Sequence, residues 1–264
     1  MKNLELNYHA GVATVTLNRP EVRNAFNDEV INELTVAMLE LGQRAEVRCV
    51  VLAGNGPAFC AGADLNWMKR MAGYTRDENL ADARALARML EVIYTCPKPT
   101  IARVQGDVYA GGTGLVAACD IAVSVDSAHY CLSEVRLGLV PATISPYVIR
   151  AMGARAAHRY FLTAERFSAH EAHRLGFVHE VVPAAALDTT VATIAGQLVA
   201  AGPHAVKACK QMLQDVAGEE ISPGLVERTA QLIADVRVSD EVREGIQSFL
   251  QKRKPAWLSG TAGA

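Results

Sequence analysis

Three consecutive runs decide the fold: Thr100-Ile101-Ala102-Arg103-Val104, then Gln105-Gly106-Asp107-Val108-Tyr109-Ala110-Gly111-Gly112-Thr113-Gly114-Leu115-Val116-Ala117-Ala118, then Cys119-Asp120-Ile121-Ala122-Val123-Ser124-Val125. The first is a short apolar run of the kind that forms a strand covered on both faces. Gly106 to Ala118 opens rich in glycine and becomes small and apolar, which reads as a loop entering a helix. Ile121 to Val125 is the next buried strand. Strand, helix and strand in that order make a parallel pair joined by a right-handed crossover.

The same alternation extends towards the N-terminus. Leu4 to Tyr8 and Val12 to Leu17 flank His9-Ala10-Gly11 and read as a β-hairpin. Asn27 can cap a helix that carries Asp28 and Glu29 in its first turn, with Val30, Ile31, Leu34, Met38 and Leu41 at helical spacing and Gly42 as its expected end. Cys49 to Ala53 is another buried strand, and a long helix from about Asp77 to Tyr94 stops before Pro97 and Pro99. Towards the C-terminus the strand signal fades after about Ser145. Ser145-Pro146 reads as N-cap and first helical residue, Ser168-x-x-Glu171 as a capping box closed by Gly176, and helical patterns run from about Ala185 to Leu250. The expectation is an α/β core over residues 1–195 and a helical region over 196–264, with Ser259 to Ala264 frayed. A chain of 264 residues is near the limit for one hydrophobic core, which favours one domain with an appendage over two equal halves.

Composition narrows the function classes. Half of the residues are hydrophobic (50%), 20% are charged, and 26 basic side chains face 28 acidic ones for a net charge of −2. That balance gives no general attraction for a polyanion, so nucleic acid is not an expected partner. No stretch approaches the roughly 18 apolar residues of a membrane span. The cysteines at 49, 60, 96, 119, 131 and 209 form no C-x-x-C pair and read as reduced thiols. Met1-Lys2-Asn3-Leu4-Glu5 opens without an apolar run, so a cytoplasmic location is expected.

Several chemistries find no motif here. The chain has no G-x-S-x-G elbow and no G-x-x-x-x-G-K-[ST] loop, and Gly54-Asn55-Gly56 lacks the third glycine of a dinucleotide fingerprint. His170-Glu171-Ala172-His173 is one residue short of the H-E-x-x-H zinc pattern and reads as polar helix surface, so no metal is expected. Two glycine-rich stretches remain, Ala58-Phe59-Cys60-Ala61-Gly62-Ala63-Asp64 and Gly106 to Gly114. Each is equally readable as a tight turn. Small residues let a ligand approach the backbone, however, and a helix start offers unpaired N–H groups. Two such loops at the carboxyl ends of parallel strands form a natural oxyanion site.

The motifs occur in a recognisable order. Asn18-Arg19-Pro20 with Asn24-Ala25-Phe26, Phe59 to Asp64, Gly106 through Gly111-Gly112 to Cys119-Asp120, Ser133-Glu134 with Leu137-Gly138, and Phe249-Leu250-Gln251-Lys252-Arg253-Lys254-Pro255 together resemble the enoyl-CoA hydratase/isomerase, or crotonase, family over nearly the whole chain. The resemblance implies a spiral of ββα units with C-terminal helices that build a homotrimer or homohexamer. It also implies an acyl-CoA thioester substrate, with coenzyme A present only as part of it and no separate cofactor. The thioester oxygen would lie between the backbone amides of Ala63 and Gly111, with Ala61, Asp64, Gly112, Thr113 and Gly114 around the substrate. A side chain at position 111 is then expected to crowd that oxygen while leaving the fold near intact.

One position departs from the resemblance. Hydratases of the family typically carry two glutamates, and the positions that match here are Gly114 and Glu134. Glu134 alone must then handle the proton, with Thr113 or Ser145 helping to orient a water, unless Glu134 merely pairs with Arg136. A single glutamate also suits a Δ3,Δ2-enoyl-CoA isomerase, and a catalytically lapsed scaffold is a third reading. The run Leu132 to Pro146 looks like the methylglutaconyl-CoA and carboxygeranoyl-CoA hydratases of leucine and acyclic terpene breakdown, which implies a short branched or carboxylated enoyl group. By the same resemblance Arg23, Lys69 and Lys252 are candidates for the CoA phosphates, with Phe249 at the nucleotide of a neighbouring subunit. Trp67 and Met68 either line the acyl pocket or pack.

Overall fold

Ala10 and Gly11 both take positive φ (48° and 80°), as a two-residue hairpin turn demands. They join β1 (Leu4–His9) to β2 (Val12–Leu17), with Leu4 opposite Leu17 and His9 opposite Val12. Asn27 Oδ1 accepts the Val30 N–H at 3.0 Å and starts α1 (Asp28–Gln43), which buries Val30, Ile31, Leu34, Met38 and Leu41 as their spacing predicts. Gly42 does not end this helix, which continues through Gln43; its missing side chain instead admits the Pro97 ring. The computed structural model describes residues 1–258, so the expected fraying of Ser259 to Ala264 lies outside the described residues.

A repeated unit follows. The fully buried strand β3 (Cys49–Gly54) leads to the short strand β4 (Ala58–Cys60), then to α2 (Leu65–Met71) and α3 (Arg76–Tyr94). Next come β5 (Thr100–Val104), β6 (Asp107–Tyr109) and α4 (Gly111–Ala118), and then β7 (Ile121–Val125), β8 (His129–Cys131) and α5 (Ser145–Thr163). The chain continues with β9 (Phe167–Ser168), α6 (Ala169–Arg174), β10 (Glu180–Val182) and the helices α7 (Leu187–Ala200), α8 (Pro203–Val216), α9 (Pro223–Arg237) and α10 (Asp240–Leu250). Each ββα unit sends its first strand to a six-stranded sheet of order β1-β2-β3-β5-β7-β10 and its second to a four-stranded sheet of order β4-β6-β8-β9. The β1–β2 and β8–β9 pairs are antiparallel and the other pairs parallel.

The second sheet, together with β10, corrects the expected strand count. Its four strands have two or three residues each, too short to show an alternation that needs about four. Ser145 also proves not to be an N-cap: Ile144 holds that place, and Ser145 Oγ donates to Ala142 O at 2.8 Å. Ser168 does cap α6, accepting the Glu171 N–H at 3.2 Å. α7 runs across residue 195 and buries Leu187, Val191 and Ala195. Among the described residues no single helix is long and apolar enough to cross a membrane.

Candidate active site

The short strands β4, β6 and β8 are adjacent and parallel, with Cys60 beside Val108 and Tyr109 beside Cys131. Their carboxyl ends therefore place three loops side by side within two strand spacings, about 10 Å. The loop after β4 carries Ala63, the turn after β6 carries Gly111, and the segment after β8 carries Glu134. Sequence reading expects these loops directly after the buried strands Cys49–Ala53 and Thr100–Val104; they stand instead on the short strands of the second sheet.

Phe26 fixes the first loop. Its N–H donates to Gly62 O at 2.8 Å and its carbonyl accepts from Asp64 N–H at 2.9 Å, so the Ala63 N–H between them points away and meets no acceptor among the described residues. The Phe26 ring presses on the second loop: a Cβ on Gly111 would stand 2.9 Å from Phe26 Cε1 and nearer still to Cζ. The expectation that a side chain at 111 would project at the thioester oxygen is thereby corrected, because it would run into the buried Phe26. The loops also touch directly. Gly62 (φ 87°) lies so close to Ala110 that a Cβ on it would sit 2.9 Å from Ala110 Cβ.

Gly111 opens α4, and its N–H, at the positive end of that helix, has no acceptor among the described residues. Ala110 precedes it in a backbone geometry (φ 47°, ψ −125°) that costs a non-glycine residue strain. The geometry is held from both sides: Ala110 N–H donates to Cys131 O at 2.8 Å, and Ala110 O accepts from the N–H and hydroxyl of Thr113 at 2.9 and 2.7 Å. Two half-buried, unpaired N–H groups thus lie on abutting loops.

Glu134 begins a 3-10 turn, Glu134–Leu137, directly after β8. Its Oε2 is buried and has no hydrogen-bond partner among the described residues. Burial pushes its carboxyl above the usual glutamate range, opposed weakly by its own backbone N–H. The pairing with Arg136 does not occur, since that guanidinium donates to Ala164 O at 2.6 Å. An unpartnered, half-desolvated carboxylate is equipped to take up a proton and return it.

Other expected site residues have different employment. Asp64 accepts from the Asn66 and Trp67 N–H groups with Oδ1 (2.7 and 3.3 Å) and from Arg19 with Oδ2 (2.8 Å), so it caps α2 and braces the loop rather than facing a ligand. Burial opposes its ionisation, but these hydrogen bonds prevail and hold its pKa low. Ala61 spends its N–H on Arg23 O at 3.0 Å, and Gly112 lies against the Cys60 carbonyl. Thr113 is fully buried with its proton given to Ala110 O, and Ser145 gives its own to Ala142 O, so neither donates to a catalytic water. Trp67 is buried 6.0 Å from the Phe26 ring with its N–H on Asp82, while Met68 is half-buried. Gly114 is buried against Ile144. Arg23 and Lys69 are exposed with no ion pair among the described residues. Phe249 is 82% exposed and Lys252 is exposed, while Glu241 and Trp257 on either side of them hydrogen-bond the start of α8 and the end of α7. In the His170 to His173 segment Glu171 is occupied by Arg174 and the Tyr160 hydroxyl. Phe26, Arg19 and Ile144 had no assigned role in the sequence. Their one signal is position: Arg19 and Phe26 lie in the Asn18 to Phe26 motifs and Ile144 in the Leu132 to Pro146 run.

The chain as a whole is similar to known proteins. The enoyl-CoA hydratase/isomerase family matches residues 7–260. A Thermus thermophilus protein named as an enoyl-CoA hydratase is 37% identical over 245 residues, covering 92% of this chain and 96% of that one. The chain belongs to the enoyl-CoA hydratase/isomerase family. The crystal structure of an enoyl-CoA hydratase from Shewanella pealeana superposes with a TM-score of 0.94 at 40% identity, covering 97% of this chain and 96% of the other. Pseudomonas aeruginosa AtuE gives 0.92 at 35% identity, covering 97% and 99%. The crotonase fold is therefore that of this chain, and the enzyme is of the hydratase/isomerase kind.

Proposed function

We propose that this enzyme adds water across the 2,3-double bond of an enoyl-CoA thioester. In this reading the thioester oxygen sits between the Ala63 and Gly111 amides, which stabilise the enolate that forms as water adds. Such preorganised donors are each worth roughly 10²- to 10³-fold in rate. The Glu134 carboxylate removes a proton from water, the oxygen bonds to C3, and the protonated carboxyl then delivers a proton to C2. The observation that carries the proposal is the buried, unpartnered Glu134 Oε2 on the segment after β8, in one sheet with β4 and β6, the strands that lead to the two free amides.

A second reading has its own support. Gly114 leaves Glu134 as the single carboxylate, which also suits an isomerase that moves a proton from C2 to C4. We favour hydration of a short branched or carboxylated acyl group, as in the methylglutaconyl-CoA and carboxygeranoyl-CoA hydratases that the Leu132 to Pro146 run resembles. Arg23 and Lys69 would meet the CoA phosphates, and Lys252 with Phe249 would reach the nucleotide from a neighbouring subunit. A panel of 2-enoyl-CoA thioesters tests the proposal: conjugated-thioester absorbance should fall for at least one short member. No loss with any of them, beside efficient conversion of a 3-enoyl-CoA, would install the isomerase reading.

A further inference from the structure

We propose that Ile144 is the specificity-determining residue that holds this enzyme to a single acid/base group. The inference rests on the one-carboxylate reading above and extends it to a cause. Gly114 lies one helical turn beyond Gly111, on the same face of α4. A Cβ on Gly114 would stand 2.8 Å from Ile144 Cβ and nearer still to its Cγ2, with Leu90 Cδ2 at 3.4 Å. Real side chains do not approach so closely. Nor can Ile144 move aside: it is 1% exposed, it stands at the N-cap of α5 with its carbonyl accepting from Tyr147 and Val148, and its branched Cβ restricts its rotamers. Leu90, the other neighbour of that Cβ, is 0% exposed. Position 114 is therefore closed by an aliphatic plug, and no single substitution there can install a second carboxylate beside Glu134.

The contact is a pair, so it is tested as one. Gly114→Ala alone should lower Tm by roughly 2–12 °C, the usual effect of overpacking in a chain of this size. Ile144→Ala should also lower Tm, through the cavity it leaves. Gly114→Ala/Ile144→Ala should melt close to Ile144→Ala, because the added methyl then has room. Additive losses, or a Gly114→Ala protein with unchanged Tm, would overturn the plug. Melting needs no substrate, so this arm stands even if no enoyl-CoA is hydrated, and the two proposals fail separately. The functional arm compares Gly114→Glu/Ile144→Ala with Ile144→Ala on a 2-enoyl-CoA. The new carboxylate should change kcat by about 10²-fold or more, the low end of what a positioned acid or base does, with KM little altered. An unchanged kcat in a folded double variant would show that position 114 is outside the acid/base site and overturn the proposal.

Discussion

The proposed reaction concentrates its acid/base chemistry in one side chain, Glu134. Burial raises its pKa, and the base must be ionised, so kcat/KM should fall as pH drops through a value above the ordinary glutamate 4.5. Glu134→Gln should remove that acid limb and lower the rate by about 10²-fold or more. The same shift has a stability sign. A carboxyl whose folded pKa is raised binds its proton more tightly when folded, so it costs stability as pH rises through that range. Glu134→Gln should consequently melt at or above the wild-type temperature at neutral pH, and a clearly lower Tm would mean that the carboxylate makes a structural bond. Gly111→Val belongs to the opposite class. It should lower Tm by roughly 2–12 °C in thermal melting, because its side chain meets Phe26 instead of the ligand.

At the scale of elements, a buried brace positions the first loop. Arg19 links Asp64 to the carbonyl of Ala25, and Asp64 starts α2. Asp64→Ala should cost about 3 kcal/mol, combining a lost N-cap with an arginine left unpaired, while Asp64→Asn keeps the cap and should cost less. Hydrogen bonds hold Asp64 below its ordinary 3.8, so its contribution is present above that pH and is lost as pH falls. The Tm gap between wild type and Asp64→Asn, followed by melting across an acid series, should therefore close on acidification. These braces mark the limit of what the sequence could disclose. β3, β5 and β7 were legible because runs of five or six mostly apolar residues announce a doubly covered strand. Ala58–Cys60, Asp107–Tyr109 and His129–Cys131 were not, being too short for any period to register. Ala63, Gly111 and Glu134 stand in the motifs that carry the family resemblance. Phe26 on Gly111 and Ile144 on Gly114 join residues far apart in the chain, and no local pattern encodes such a contact.

At the scale of the whole molecule, the C-terminal helices and the turns between them leave large apolar side chains in the open, among them Ile221 at 84%, Val238 at 68%, Ile246 at 55%, Phe249 at 82% and Leu250 at 72% exposure. Apolar surface on that scale is normally covered by a partner. The proposed trimer or hexamer should appear in sedimentation, and Leu250→Glu should shift it towards monomer with loss of acyl-CoA affinity; a fully active monomer would remove the shared-site proposal. The net reaction is settled by oxygen. In H₂¹⁸O a short 2-enoyl-CoA should acquire the heavy isotope on C3 of a 3-hydroxyacyl-CoA, and Glu134→Gln should slow that incorporation by about 10²-fold or more. Efficient conversion of a 3-enoyl-CoA to the conjugated form with no isotope in any product, or incorporation undiminished in Glu134→Gln, would contradict it.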